Sequence, residues 1–331
     1  MLEHFIVNAK VDTQAYASLV ESILKGRNDA KASKSGVQRA LNSYVTSAGE
    51  KSRFKDIISE AELKGINPQT LVDKINNFFD YNQDVFYYGS DVAATKKVLE
   101  NKHNLGKNKA IPVLVNYPEP ATNGTVYYAP YDMVQAEISF KGREAMFDKD
   151  LLATSRVFNN YFGGGMASVV FQEIRESKSL AYSAYAYYLN AAKAGKYNYV
   201  SAYVGTQANK LDQAVDAMME LMNNMPEAGN QFENAKVSVL KSIGSQRYVK
   251  AQIFYYWLSL QEQGIDYDIN KDIYDQVQKM SITDLVDFFN KHIKGKAYNV
   301  GLIGKKDNLD WEAVKKIGPI KELTLEDLFG Y

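Results

Sequence analysis

The sequence predicts an α+β fold in which an antiparallel sheet packs against helices. Three observations predict it. Strand-like and helix-like segments come in pairs rather than in strict β–α–β alternation. The clearest strand, Met133 to Lys141, alternates Val134, Ala136, Ile138 and Phe140 with Gln135, Glu137, Ser139 and Lys141, as a half-buried antiparallel strand does. Two tyrosine-rich strands, Leu180 to Leu189 and Tyr197 to Thr206, are joined through Gly195 as a hairpin.

In chain order, Asp12 or Thr13 caps a first helix whose apolar face is Tyr16, Leu19, Val20, Ile23 and Leu24, with Gly26 as its stop. A polar helix follows from about Ala30 to Ala48, ended by Gly49. Asn67-Pro68 opens another, bearing Leu71, Val72, Ile75, Phe78 and Phe79, because proline suits the first helical turn. A short strand, Val85 to Tyr88, closes at Gly89, and Asn101 to Lys109 reads as a polar linker. Ile111 to Tyr117 is a strand candidate. After the alternating strand, Asp148 caps a helix carrying Leu151, Leu152, Phe158 and Tyr161. Gly163-Gly164-Gly165 breaks it, and a helix from Met166 to Lys178 follows. Beyond the hairpin come a helix with Leu211, Val215, Met218, Met219 and Met222 on one face and a long helix from Phe232 to Gln263, bent at Gly244. A helix from Ile282 to Ile293 and a strand from Ala297 to Ile303 complete the order.

Composition excludes several functions. The 331 residues carry 39 basic and 39 acidic side chains, so no net charge draws the chain to nucleic acid or anionic membrane. No cysteine is present, which removes disulfides, thiolate nucleophiles and Cys-ligated metals. No apolar run approaches the roughly 20 residues of a membrane span. Met1-Leu2-Glu3-His4 is not a signal peptide, so a periplasmic or exported location would require one upstream, and the compartment stays open. The basic cluster Lys25, Arg27, Lys31, Lys34 and Arg39 reads as a solvated helix face. Asn123-Gly124-Thr125 reads as a turn.

An internal repeat sets the domain plan. Ile66-Asn-Pro-Gln-Thr-Leu71-Val72-Asp73 echoes Met280-Ser-Ile-Thr-Asp-Leu285-Val286-Asp287, and Asn76 matches Asn290, at an offset of 214 residues. That is far beyond solenoid periods. Both copies run on into a short strand closing on glycine, Gly89 and Gly304. The expectation is a complete domain over residues 111–331. Residues 1–110 would be the C-terminal, mainly helical half of a preceding homologous domain plus a linker. Such an incomplete domain leaves apolar surface exposed and favours self-association.

The stretch Phe162-Gly-Gly-Gly-Met166-Ala-Ser-Val-Val-Phe171-Gln-Glu-Ile-Arg175-Glu-Ser-Lys-Ser-Leu180-Ala-Tyr182-Ser resembles a signature of the pitrilysin/insulinase family of zinc metallopeptidases. That family includes insulin-degrading enzyme and the mitochondrial processing peptidases. The resembling element belongs to the non-catalytic domain: a glycine-rich loop, a helix ending in Arg-Glu, a polar turn, then Leu-(Gly or Ala)-Tyr. The similarity runs over about residues 126 to 305. It implies the duplicated-domain architecture of the mitochondrial-processing-peptidase-like metallohydrolases. It also implies two halves closing around a peptide chamber, with zinc held by an inverted H-x-x-E-H helix in an N-terminal catalytic half.

No H-x-x-E-H occurs here. His103 and His292 are isolated, and Glu3-His4 resembles only the tail of the motif. The resemblance therefore implies no catalytic residue and no metal ligand on this chain, with zinc in the partner half. It implies substrate contact by Arg175 and Tyr182, with Phe171 lining the pocket and Gly163, Gly164 and Gly165 near the chamber. Arginine offers a rigid fork of donors for a carbonyl or carboxylate. A tyrosine hydroxyl can donate to the oxygen that gains charge when water attacks an amide. On residue type alone, Arg175 reads as a surface salt bridge, Tyr182 as sheet packing, Phe171 as core and the glycines as a tight turn. Tyr182, Tyr185, Tyr187 and Tyr188 could stack bases, although sheet packing is their ordinary role.

The expected function is the substrate-binding C-terminal half of a zinc-dependent metalloendopeptidase, inactive alone. Its partners would be a peptide substrate and a catalytic half on the same polypeptide or a separate subunit. The alternative is a catalytically silent scaffold or recognition subunit.

Overall fold

A computed structural model describes residues 2–102 and 110–331. After a short α1 (Leu2–Val7), the Asp12 carboxylate accepts from the Ala15 N–H at 2.8 Å and starts α2 (Thr13–Ala32). This helix runs straight through Gly26. Its stop is Ser33, whose hydroxyl accepts from the Gly36 N–H and caps α3 (Lys34–Ser47). Left-handed Ala48 and Gly49 end α3. Then come α4 (Glu60–Gly65), opened by a Ser59–Glu62 capping box, and α5 (Pro68–Asn76), capped by Asn67. The helix α6 (Val92–Lys102) ends inside the span read as a linker. The rest of that span, His103 included, lies outside the described residues.

Two expected strands do not form. Val85 to Tyr88 and Ile111 to Tyr117 join no ladder, and most of their apolar side chains face solvent. The reason is physical: a strand needs a neighbour for its N–H and C=O groups. Among the described residues these segments have one isolated bridge nearby, Tyr81 to Ala110.

The sheet is built from later residues. Its strands are β1 (Val126–Pro130), β2 (Gln135–Met146), β3 (Ala181–Leu189), β4 (Tyr197–Gln207), β5 (Asn299–Gly304) and β6 (Ile320–Glu322), in the spatial order β3-β4-β2-β5-β1-β6. Pairing is antiparallel from β3 through β4 and β2 to β5, whereas β1 lies parallel to β5 and β6. Strand β1 is absent from the sequence-based expectation, because its Val-Tyr-Tyr-Ala run is buried on both faces and so lacks alternation. The fold is α+β with an open six-stranded sheet.

The inner face is covered by α7 (Leu152–Phe158), α8 (Leu211–Asn223), α9 (Gly229–Ser245), α10 (Ala251–Glu262), α11 (Asn270–Lys279) and α12 (Ile282–His292), with α13 (Trp311–Ile317) at its end. Ala136, Ile138 and Phe140 of β2 meet this layer, as the alternation predicts. The long helix expected from 232 to 263 is two helices. Residues 246–250 separate α9 from α10, with Lys250 at positive φ, and Gly244 lies inside α9.

The outer face departs furthest from expectation. Helix α3 crosses it and buries Val37, Ala40, Leu41, Tyr44 and Val45 against Tyr127, Ala129 and Ile303, joined by Leu328 and Phe329 of α14 (Leu325–Phe329). Glu137 and Ser139, expected toward solvent, are therefore buried. The helix that buries them lies about a hundred residues upstream, beyond the reach of any local pattern.

The order of elements recurs. Helices α2 to α5 lead to residues 85–88, which join no sheet, then Gly89 and α6; helices α9 to α12 lead to β5 with Gly304 and then α13.

One buried ion group gives a pH prediction. Burial alone would raise the Glu144 pKa. The His292 hydrogen bond at 3.2 Å and the Lys296 ammonium at 3.2 Å outweigh it and hold the carboxylate below its ordinary value. A depressed carboxyl stabilises the fold above its unfolded pKa and loses that contribution as pH falls through the folded one. Urea midpoints should therefore fall as pH drops below about 4.3, and Glu144→Gln should flatten part of that fall.

Candidate functional site

The residues singled out by sequence lie between the end of α7 and the first residues of β3. The chain passes from α7 through a π-helical turn, Asn159–Gly163, crosses the glycines and re-enters a π-helical segment, Phe171–Ser177. Such turns often mark functional sites.

The three glycines have separate reasons. A Cβ on Gly163 would stand 1.5 Å from the Ala186 carbonyl oxygen and 2.7 Å from its nitrogen, so glycine lets the helix end press onto the backbone of β3. A Cβ on Gly164 would meet the Asn159 carbonyl oxygen at 2.5 Å. Gly165 takes φ +100 in open space. Next to them, the Asn159 side chain donates to the Tyr188 carbonyl and accepts from its N–H, at 2.9 and 2.7 Å, closing that part of the outer edge of β3.

Phe171 and Arg175 meet: the guanidinium lies 4.8 Å over the ring centroid. Its Nε is 3.6 Å from Glu176. The side chain is half exposed, and its other donors are not engaged among the described residues.

Tyr182 is the second residue of β3 and is 41% exposed. Its ring lies across Gly205 of β4, where a Cβ would come within 2.4 Å of Cζ. The hydroxyl thereby reaches β2 and donates to Glu137 Oε1 at 2.7 Å. Glu137, 2% exposed, also accepts from Lys34 Nζ at 2.5 Å and Gln38 Nε2 at 2.7 Å, both from α3. Burial, with the nearby carboxylate, raises the Tyr182 pKa against the opposing Tyr203 hydrogen bond. The Glu137 hydrogen bond raises that of Lys34 against its partial burial. No hydrogen bond or ion pair joins Arg175 to Tyr182 among the described residues.

Sequence reasoning missed Glu137, Lys34, Gln38 and Gly205 as parts of the site. Lys34, expected on a solvated face, holds a buried carboxylate. The surrounding sheet is aromatic: Tyr185 stacks on Tyr203 at 5.1 Å and tilts against Tyr187 at 5.4 Å, whereas Tyr188 points into the core. That is packing within and between strands.

No group of three His, Asp or Glu side chains that could hold a metal ion occurs among the described residues. His292 is buried against Glu144, and His4 meets the Asn8 side chain. These residues do not fit a zinc site.

The family model described as the peptidase M16 inactive domain matches residues 66–239, more than half of the chain and across the position 110/111. The chain belongs to this family. Among relatives of this M16 inactive domain, a protein of Bacillus subtilis named uncharacterized zinc protease YmxG is 34% identical over 111 residues, 32% of this chain and 25% of that protein. A Helicobacter pylori protein named non-peptidase homolog YmxG is 25% identical over 272 residues, 75% of this chain and 58% of that protein. The chain thus spans less than two thirds of either relative. Among solved structures, a peptidase M16 inactive domain from Pseudomonas fluorescens superposes with a TM-score of 0.67 at 14% identity, covering 97% of this chain and 75% of that one. A structure described as a protease from Helicobacter pylori gives 0.65 at 15% identity, covering 92% and 75%. These likenesses carry the M16 fold. No helix among the described residues is long and apolar enough to cross a membrane.

Proposed function

We propose that this chain is the substrate-binding, non-catalytic half of a zinc-dependent metalloendopeptidase that encloses peptides in a chamber. Zinc would be held by an upstream domain or partner half. The observation that carries this reading is that Arg175 and Tyr182 both stand solvent-accessible at consecutive ends of helix and strand in an M16 inactive domain. Arg175, backed by Phe171, offers unspent donors to a peptide carbonyl or carboxylate. The chain's own residues bind and orient; among the described residues no group of His, Asp and Glu that could hold a metal is in place to activate water.

Residues 111–331 would be the complete peptidase-like domain and residues 1–110 the helical end of a preceding copy. Recurrence of the order of helices, apolar segment, glycine and helix supports this division. So do the two exposed strand-like segments, 85–88 and 111–117, which have the character of sheet strands lacking their neighbours.

A second reading, a catalytically silent recognition subunit, is favoured by the commitment of the Tyr182 hydroxyl to Glu137. In both readings peptides bind and the chain alone cleaves nothing. The readings separate on adding a zinc-bearing M16 half. The first expects hydrolysis that Arg175→Ala cuts at least tenfold; hydrolysis indifferent to Arg175→Ala would leave only the second.

A further inference from the structure

We infer that Glu137 is a positioning residue that fixes the Tyr182 hydroxyl as a hydrogen-bond acceptor, so that Tyr182 recognises a peptide N–H rather than a carbonyl oxygen. The polarity of Tyr182 stands on the structure; its use on a peptide rests on the substrate-binding reading above.

A phenol has one proton and two lone pairs. Tyr182 gives its proton to Glu137 at 2.7 Å. A carboxylate between an ammonium at 2.5 Å and an amide N–H at 2.7 Å is an acceptor on both oxygens, so it returns no proton to Tyr182. The other hydroxyl nearby is Tyr203, 3.4 Å from the Tyr182 oxygen; with the Tyr182 proton spent, Tyr203 is the donor of that pair. What Tyr182 has left is a lone pair, on a residue that is 41% exposed as a whole. An incoming carbonyl would face lone pair against lone pair, whereas an incoming N–H would find its acceptor.

The geometry of the fold enforces this state. Glu137 pairs in register with Gly205, and Gly205 pairs with Ser183, next to Tyr182. Because Gly205 lacks a side chain, the ring can pass over β4 and reach the carboxylate. Lys34 and Gln38 come from α3, so the hydroxyl on the second segment of the chain is set by side chains of the first.

The test has two arms on the full chain. In the first, 3-fluorotyrosine replaces Tyr182 and its ionisation is followed by fluorine NMR, with Lys34, Glu137 and Tyr203 as the titratable neighbours. Donation to a carboxylate raises a phenol's pKa, so Glu137→Gln should lower the midpoint by about one pH unit or more. Gly205→Ala, which lifts the ring off β4 and changes no polar group, should lower it likewise. An unchanged midpoint in both variants overturns the inference whether or not any peptide binds. In the second arm, a fluorescein-labelled unstructured 20-residue peptide is compared with analogues in which single amides become esters, which removes one N–H at a time. One ester should weaken binding about fivefold in the native chain and not in Tyr182→Phe. An ester effect that Tyr182→Phe leaves intact overturns the N–H assignment. Absence of peptide binding throughout would instead count against the substrate-binding reading, and the first arm alone would then decide the role of Glu137.

Discussion

Gly163→Val is expected to be the most damaging single substitution in the helix–strand junction. Even a Cβ at this position would sit 1.5 Å from a backbone oxygen of β3, with the carbon and nitrogen of the same residue at 2.4 and 2.7 Å. No rotamer relieves a backbone clash, so the helix end must lift off the strand. The movement would pull Asn159 from the edge of Tyr188 and open the contacts of Phe158 and Phe162, both fully buried. Overpacking of this kind costs about 3 kcal/mol or more, a large share of the roughly 5–15 kcal/mol that holds a domain folded. Urea denaturation should show it as a large drop in midpoint. Gly165→Ala, with φ +100 but open space, should cost only about 1 kcal/mol. Equal effects at the two positions would contradict the assignment of Gly163 to close approach.

Leu41→Asp is the second large effect. Leu41 is 2% exposed between α3 and the outer face of the sheet, in a contact that also buries Val37, Tyr44, Tyr127 and Ile303. Truncating a buried leucine costs about 2–5 kcal/mol, and an unpaired carboxylate adds its desolvation cost. The inner core belongs to a separate cluster and keeps its own packing. The expected outcome is release of α3 from the sheet. Hydrogen exchange should then rise in α3 and on the outer side of β1 and β5, and Glu137 should lose Lys34 and Gln38. Exchange that stays native-like in α3 would contradict the outer-face packing.

These two sites show how unevenly the fold can be read from sequence. The inner face of β2 is legible because Ala136, Ile138 and Phe140 recur every second residue, a signal local to a single strand. Its outer face is not, because the burial of Glu137 depends on a helix about a hundred residues away. The break between α9 and α10 is hidden because Arg247 to Lys250 include ordinary helix formers, and the positive φ of Lys250 leaves no trace in composition. Val85 to Tyr88 and Ile111 to Tyr117 carry genuine strand propensity, but propensity without a partner makes no ladder. At the site, the spacing of Phe171, Arg175 and Tyr182 is readable from a motif. Their polarity is not, since the proton of Tyr182 is governed by Glu137, Gly205 and Lys34, none of which is near it in sequence.

The proposed binding of peptide through Arg175, without hydrolysis by the chain alone, can be measured by fluorescence anisotropy. The probe is a labelled unstructured 20-residue peptide, titrated with the full chain and with Arg175→Ala, zinc present, each mixture then checked for cleavage by mass spectrometry. Saturable binding, at least tenfold weaker in Arg175→Ala, and an intact peptide are expected. Cleavage by the chain alone, absence of saturable binding, or equal binding by Arg175→Ala would contradict the proposal.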